Sequence, residues 1–397
     1  MMKRKRNKSP SPRLTRDAEL LVVLATGLAN SGSHIEDRFW DRRLSAELIR
    51  LLEHGSDSAL EHALDHLHRG HLPAYDVLID AAEAQSESAG LDGEQVLLLA
   101  APVLAWSKYS IFSGPLRSDV AQALGAHLAS HIAARGVRVA LSPYLYSIDQ
   151  LPQRFSKTRE LTQTLGRRAL LETARAPTFA KLPQTAPLLA DTRYLIAALV
   201  GPGDGALMRW QEQGLPGAET SVGRAEVLVH WREAAGALLA QVLTGSQTEL
   251  LLPDAYHVSC RESDQAVRPF GIRAAVAFLE TALTLEPERL RAVVALFGEE
   301  RGEEYRIGFT LENGSDVYYG VVWPLFGREE GPEPEGPRDQ IEALLKDCRI
   351  HEMIYLDQLF PLEFCEDCGA PLFADPSGEL VHPELPEDAE EPRAHLH

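Results

Sequence analysis

One pair among the four cysteines of this 397-residue chain has a spacing that could do chemistry. Cys365 and Cys368 are separated by two residues, and Gly369 follows them. Two thiolates at this spacing can meet one zinc ion, and a small residue after the second cysteine lets backbone N–H groups turn toward the sulfur atoms. The segment therefore predicts half of a zinc knuckle.

The remaining zinc ligands have to come from other parts of the chain. His382 follows the pair, and His395 near the end of the chain could complete a tetrahedral site. His397 and the upstream Cys348 are the alternatives for the fourth position. Four protein ligands would make the zinc structural, because no coordination position stays open for water.

A redox dithiol and an ordinary turn with two free thiols are the alternatives to a zinc knuckle. A reactive C-x-x-C pair needs a thiol with a lowered pKa. Glu363, Glu366 and Asp367 lie beside the cysteines, and we expect their negative charge to raise the pKa of both thiols. A bound dication would relieve the same repulsion, so the acidic surroundings favour a metal over redox chemistry.

A second mixed cluster spans residues 254–264, where a predicted strand leads into a loop. Alternation along that strand would put His257 and Cys260 on opposite sides, so the imidazole could not activate the thiol directly. Arg261 follows in the loop, and Lys108 occupies a similar loop in the first α/β half. Lys108, His257 and Arg261 are therefore the candidates for binding a small polar ligand, with a solvated loop as the alternative.

Composition limits the partners and the compartment. The chain has 39 Lys and Arg against 58 Asp and Glu, and its first sixteen residues hold seven basic residues and no acid. Such an acidic body repels phosphate backbones, so nucleic acid is an unlikely partner except through the basic N-terminal tail. The longest apolar run, 96–106, is too short to span a bilayer. Irregularly placed cysteines fit a reducing compartment, so we expect a cytoplasmic protein.

Hydrophobic periodicity divides the chain into a helical part and two α/β parts. The predicted units are a disordered basic tail (1–14), a helical domain (15–92), a first α/β half (93–216), a second α/β half (217–327), and a C-terminal region with a linker, a helix, the Cys-x-x-Cys knuckle and an acidic tail (328–397). The fold class is therefore α+β, with a helical N-terminal cap, two similar βαβ-plus-hairpin halves and a short zinc-knuckle tail.

The order of elements suggests an internal duplication as a hypothesis. Each half reads as a strand, a polar loop, a helix, a strand and a hairpin. The first hairpin is predicted at 194–200 and 207–211. The second half is predicted to contain a strand (250–259), a helix (270–283), a strand (290–297) and a hairpin (305–311 and 317–323) that turns at Asn313-Gly314. The alternative is that two common arrangements arose from ordinary patterning.

Several segments together resemble one protein family. They are residues 31–40, 146–152, 251–256, 297–301, 317–325 and the cysteine segment 365–373. This set is similar to a proteobacterial family known as domain of unknown function 2863, and the resemblance covers nearly the whole chain. It implies a bacterial cytosolic protein. The family brings no assigned activity, so no catalytic or binding residue can be transferred.

The sequence contains neither a Walker motif nor a G-x-S-x-G elbow. We therefore interpret the chain as a non-catalytic binding or regulatory protein with a protein partner or a small polar ligand. The alternative is an enzyme on a small polar or anionic substrate, held in a cleft between the two halves with Lys108 and Arg261 as anion contacts. Convergence of both loops on a deep cleft would favour the enzyme, whereas exposed loops with an apolar patch would favour the binding protein.

Overall fold

The computed structural model describes residues 14–107, 111–171, 179, 182–185, 188–212, 222–299, 301–326, 336–386 and 389. The α-helices of these residues are α1 (Arg16–Ala29), α2 (His34–Glu53), α3 (Asp57–Gly70), α4 (Leu72–Glu87), α5 (Ser118–His127), α6 (Phe155–Leu170), α7 (Arg224–Val242), α8 (Tyr256–Ala282) and α9 (Pro337–Asp347). A π-helical turn, Leu128–Ile132, continues α5. No helix of the described part is both long enough and apolar enough to cross a membrane.

The strands form two large sheets and one small hairpin. They are β1 (Ser88–Leu91), β2 (Glu94–Trp106), β3 (Gly114–Pro115), β4 (Arg138–Tyr146), β5 (Ala190–Pro202), β6 (Gln247–Leu250), β7 (Asp254–Ala255), β8 (Leu290–Phe297), β9 (Glu304–Leu311), β10 (Tyr319–Pro324), β11 (Glu352–Phe360), β12 (Phe373–Ala374) and β13 (Leu380–Val381). The chain is thus a mixed α and β protein with a helical N-terminal region, which confirms the broad fold class.

Helices α1 to α4 form the N-terminal bundle. The Ser33 side chain accepts a hydrogen bond from the Glu36 N–H at 3.3 Å and so caps α2. Leu44, Leu48 and Leu51 recur at helical spacing on α2 and are buried in the bundle core. The local signals for these helices are strong, which is why the sequence predicts them.

The first sheet is antiparallel throughout and buried on both faces. Its order is β1-β2-β5-β4-β3, and β6 and β7 also pair with β2. On one face, Leu99 and Val103 of β2 pack with α5 and α7; on the other, Leu98 and Ala100 pack with α6 and the start of α8. Because helices cover both faces, β2 is an almost continuous apolar run rather than an alternating one.

The second sheet has the order β10-β9-β8-β11, with β8 and β11 parallel and the other pairs antiparallel. Ala292 and Val294 of β8 face the C-terminal half of α8 and α9. Val293 and Ala295 face the other side, where Ala374 of β12 packs. The hairpin β12–β13 therefore lies on the sheet face opposite α8. The predicted strand 290–297 and the hairpin of β9 and β10 are confirmed.

The predicted strand 250–259 is wrong. Only β6 and β7 are extended there, and α8 begins at Tyr256. His257 and Arg261 consequently lie one turn apart on a helix. Ser259, also on this helix, is fully buried and donates a hydrogen bond to the Ala100 carbonyl at 3.0 Å. Its polar side chain suits the helix start because it contacts backbone groups of β2 and β7.

The predicted hairpin at 194–200 and 207–211 is also wrong. Strand β5 pairs along its length with β2 on one side and with β4 on the other, so it has no free edge for a hairpin partner. Met208 instead forms an isolated bridge with Ala133, and Arg209–Glu212 is a 3-10 turn.

The internal duplication is not confirmed. The first sheet places β5 between β2 and β4, whereas β8 and β9 are direct neighbours in the second sheet. The second sheet also contains a parallel pair, which the first sheet lacks among the described residues. Different strand orders and the helical start of the second unit count against two copies of one arrangement.

We expect Ser259→Ala to lower the free energy of unfolding by about 1–3 kcal/mol, because it leaves buried backbone groups without a partner. The Ser259 hydroxyl accepts from the Asp254 N–H at 3.1 Å and donates to the Ala100 carbonyl. Urea denaturation measures the effect. Ser130→Ala is the matched control, because this exposed hydroxyl bonds only the Ala126 carbonyl of its own helical segment. Equal stability of the two variants would contradict the role given to Ser259.

Candidate metal centre

A tight turn and a hairpin bring Cys365, Cys368 and His382 together. Their ligand atoms all lie within 4.8 Å of one another, and Cys368 Sγ is 3.3 Å from His382 Nε2. The antiparallel pair β12–β13 reverses the chain between them. His382 directly follows β13 and so reaches the cysteine turn. Two thiols and one imidazole at these separations match the nitrogen and sulfur ligands that zinc prefers.

Backbone hydrogen bonds close the turn that carries the cysteines. The Cys365 N–H donates to the Ala370 carbonyl at 2.8 Å, and the Gly369 N–H donates to the Cys365 carbonyl at 2.9 Å. Gly369 has a φ of +73°, a left-handed conformation that costs glycine little because it has no Cβ. The glycine of the C-x-x-C-G segment is thus required by the turn itself.

The backbone of this turn also sets the ionisation of Cys365. The N–H groups of Cys368 and Asp367 lower the pKa of the Cys365 thiol and outweigh the charge of Asp367, which acts in the opposite direction. The expected rise in the thiol pKa is therefore wrong for Cys365, whose pKa is lowered overall. A thiolate is the form that binds metal or reacts. The metal and redox interpretations are separated instead by His382, a third ligand that a dithiol does not need.

The outer ring nitrogen of His382 lies near a carboxylate. Nδ1 is buried without a hydrogen-bond partner in the described part of the chain, and it is 3.6 Å from Glu384 Oε1. Metal-bound histidines usually donate their second ring N–H to a carboxylate or carbonyl, which orients the ring. Glu384 is placed to take this role, and its own backbone N–H is held by the Val317 carbonyl at 2.9 Å.

Asp375 fixes the hairpin that positions His382. Its carboxylate accepts from the Ser377 N–H and hydroxyl, both at 2.8 Å, and from the Glu379 N–H at 2.9 Å. Burial opposes the charged form, but these hydrogen bonds prevail and lower the pKa of Asp375. Gly378 has a φ of +86°. The turn therefore holds β12 and β13 in register.

A buried arginine joins the cysteine turn to the second sheet. Arg306 of β9 donates to the Glu363 carbonyl at 2.8 Å and to the Leu372 carbonyl at 2.6 Å. These carbonyls flank the cysteine turn on its two sides. The guanidinium also pairs with Glu304 at 2.6 Å and lies 5.1 Å from the centre of the Phe364 ring. Both ends of the turn are thus held by one side chain of the sheet.

The described residues provide three of the predicted ligands. His395 and His397 lie outside the described residues, so neither assignment is tested. Cys348 ends α9 and packs against the core of the second sheet, where burial raises the pKa of its thiol. It is not part of the group whose ligand atoms converge. The tail histidines therefore stay the candidates for a fourth ligand.

His257 and Arg261 contact α4 from one side of α8. His257 Nε2 is 2.8 Å from the Ser86 hydroxyl oxygen, and the His257 backbone N–H donates to Glu87 Oε2 at 2.8 Å. Arg261 forms an ion pair with Glu83. These contacts attach α8 to the helical bundle. Both predicted ligand-binding side chains are thus engaged within the protein.

The Ser86–His257 pair has the distance of a nucleophile and its base, but its surroundings indicate a structural contact. Ser86 is fully buried, and its hydroxyl donates to the Glu83 carbonyl at 2.8 Å. Burial, together with the charge of Arg261, lowers the pKa of His257 to about 4, so the imidazole is neutral near pH 7. The imidazole N–H can therefore donate to the Ser86 oxygen.

Lys108, the third predicted ligand-binding residue, lies outside the described residues. The convergence of Lys108 and Arg261 on one cleft consequently stays a prediction.

Three residues that hold the cysteine turn, the hairpin and His382 were not predicted from the sequence. Arg306 interrupts an apolar strand, which could have marked it as a buried charge with a specific partner. The Asp375-Pro-Ser-Gly segment is a turn signal that could have placed the hairpin. Glu384 follows His382 by two residues, and no local pattern distinguishes it from the other acids of the tail.

Comparison with protein-family models matches residues 5–396 to a family described as "Protein of unknown function (DUF2863)". The chain belongs to this family. The match confirms the family resemblance of the sequence segments. Searches among curated proteins and among solved structures gave no match. The description of DUF2863 assigns no residue roles, so the geometry of Cys365, Cys368 and His382 alone supports the candidate metal centre.

We expect Arg306→Met to lower the free energy of unfolding of this DUF2863 protein by about 3 kcal/mol or more, because it removes the buried donor to Glu304 and to the Glu363 and Leu372 carbonyls. The Glu363 carbonyl keeps the Leu372 N–H as a donor at 3.1 Å. Chemical denaturation measures the loss. Arg117→Met is the matched control, since Arg117 pairs with Asp119 at an exposed surface where such pairs contribute little. Similar losses in both variants would reject the anchoring role of Arg306.

Glu87 and His257, which are in contact, should make the free energy of unfolding depend on pH in opposite directions. Burial raises the pKa of Glu87 from 4.5 to about 7, and Glu83 adds to the effect while Arg261 opposes it. The folded state therefore favours protonated Glu87, whose stabilising contribution is lost as pH rises from 4.5 to 7. His257 behaves oppositely, because its lowered pKa makes the folded state lose stability as pH falls from 6.5 toward 4.

The difference in unfolding free energy between each variant and the wild type isolates these effects. For Glu87→Gln, we expect the difference, variant minus wild type, to rise with increasing pH between 4.5 and 7. For His257→Gln, it should rise with decreasing pH between 6.5 and 4. Each slope should approach about 1.4 kcal/mol per pH unit, the value for one proton. Urea denaturation across pH 4–7.5 measures both, and two flat difference profiles would contradict the prediction.

Proposed function

We propose that this protein is a non-catalytic binding or regulatory protein of the cytoplasm with a structural zinc knuckle. Cys365, Cys368 and His382 supply three ligands, and His395 of the tail supplies the fourth. The convergence of these two thiols and one imidazole within 4.8 Å carries the proposal. Free cysteines throughout the chain fit the reducing compartment.

A structural role for the ion fits the small size of the elements that carry its candidate ligands. Strands β12 and β13 have two residues each, and an isolated short hairpin is marginally stable in water. A zinc ion bound by the cysteine turn and by His382 would join the turn to the hairpin, so its binding free energy would contribute to folding. Arg306 then connects the resulting unit to β9.

The environments of His257 and Arg261 count against a small-molecule site at these two side chains, and the enzyme alternative uses Arg261 as an anion contact. Ser86 and Glu83 of α4 already engage these side chains. Acting on a substrate would require breaking the contact between α8 and the bundle. The enzyme alternative depends on Lys108, which lies outside the described residues, and nothing in the described part specifically favours it.

Elemental analysis of untagged protein purified without chelator tests the proposal. We expect one zinc per chain in the wild type and its loss in Cys365→Ser and His382→Ala. Cys260→Ala is the control, because this partly buried cysteine lies on α8 and is not part of the converging group. Loss of zinc in His395→Ala but not in Cys348→Ala would confirm the tail histidine as the fourth ligand. Metal-free wild-type protein would reject the knuckle.

Melting temperatures test whether the proposed zinc ion stabilises the fold. Chelator treatment should lower the melting temperature of the wild type, because the apo knuckle loses the binding free energy of the ion. The same treatment should leave the melting temperature of Cys365→Ser unchanged. A wild-type protein that loses its zinc without any change in melting temperature would show that the ion does not stabilise the fold.

A further inference from the structure

A cavity of about 710 Å³ lies along β10, an end strand of the second sheet. Because no described strand pairs with the outer edge of β10, the cavity can take walls from both faces of the sheet. Phe278 of α8 contributes one wall, and Phe373 and His382 of the knuckle contribute another. The segment Leu188–Ala190 forms the third side. The volume lies in the range of about 300–1,000 Å³ that is typical of small-molecule sites.

The cavity walls are predominantly apolar and aromatic. The ring centroids of Phe278 and Tyr319 are 5.3 Å apart, so the two aromatic side chains are in contact and form a continuous surface. Leu188 is 48% exposed, so a large apolar side chain borders the cavity in contact with water. Gly271 lets α8 approach β10 closely, since a Cβ there would lie 3.3 Å from the Val321 side chain. Such walls favour a flat, apolar ligand.

The Tyr319 phenol supplies a polar contact on these walls. Tyr319 lines the cavity, and its hydroxyl has no hydrogen-bond partner within the described ranges. Burial raises the pKa of Tyr319. The phenol therefore stays protonated at neutral pH and can donate one hydrogen bond to a ligand.

The charges around the cavity disfavour anions. A neighbouring cavity of about 580 Å³ shares Tyr318, His382 and Leu385 with it. Four acidic residues line that neighbour: Asp316, Asp375, Glu379 and Glu384. The whole chain carries a formal charge of −19. A negatively charged ligand would be repelled on approach and in place.

We propose that this cavity binds an uncharged, predominantly apolar small molecule with one hydrogen-bond acceptor for Tyr319. The inference gives the proposed binding function a ligand class. It depends on the zinc knuckle only through the wall that carries Phe373 and His382, because α8, β10 and residues 188–190 form the remaining sides.

Fluorescence titration of the full-length protein with Nile red tests this site, because the dye is uncharged and apolar, carries a carbonyl acceptor and brightens on burial. We expect saturable binding of one dye per chain. Leu188→Glu should weaken binding at least about tenfold, since it places a charge at the apolar wall. Tyr319→Phe should weaken it about fivefold through the lost hydrogen bond. Val23→Glu, at an exposed apolar position of α1 outside the cavity, is the matched control and should bind like the wild type.

Melting temperatures of all variants establish that the fold is retained. Absence of saturable binding to the wild type would overturn the inference, as would unchanged binding by Leu188→Glu. Sedimentation at the titration concentrations tests whether a second copy covers the cavity instead. A dimer that Leu188→Glu dissociates, with dye binding only to the monomer, would also overturn it.

Zinc content measured on the same samples separates this inference from the metal proposal. A metal-free wild type that binds one Nile red would reject the zinc knuckle and support the ligand site. A zinc-loaded wild type that binds no dye would support the knuckle and reject the ligand site.

Discussion

Helix α8 has to pack against two sheets at once, and the positions of the other elements follow from this requirement. Its N-terminal half contacts the first sheet, where Tyr256 joins the core and the Ser263 hydroxyl lies 2.8 Å from the Tyr194 hydroxyl. Its C-terminal half buries Ile272 and Leu279 against the second sheet. Because one continuous helix serves both sheets, it fixes their relation to each other.

Pro269 lies between these two halves of α8, and a neighbouring side chain supplies the hydrogen-bond donor that proline lacks. Pro269 has no N–H and cannot bond the carbonyl of Gln265. The Arg268 guanidinium supplies this bond through Nε at 3.2 Å and also donates to the Pro324 carbonyl at the end of β10 at 2.9 Å. One side chain thus satisfies the interrupted helix and ties it to the edge strand. The cavity described above lies along the same strand and is lined by its residues 319–322.

The sequence is most informative where local chemistry alone determines the structure. The C-x-x-C-G turn needs a left-handed residue at Gly369, and the apolar run of β2 needs cover on both faces. Both features are readable without knowing any distant contact. The convergence of Cys365 and Cys368 follows from spacing, whereas the arrival of His382 depends on the hairpin turn at Asp375. The convergence of the candidate ligands is therefore predictable to the extent that these residues are close in sequence.

One failure, the strand predicted at 250–259, occurs where distant groups satisfy polar residues. At the start of α8, Ser259 bonds the backbone of β2 and β7, and His257 and Arg261 bond α4, so the buried side of the helix is largely polar. Hydrophobic periodicity cannot detect such a face, because it assumes that burial means apolar side chains. Hydrophobic periodicity also fails to identify Arg306 as a buried residue, because its partners are carbonyls about sixty residues away in sequence. In this chain, the buried polar contacts that position the elements are the information that local patterns omit.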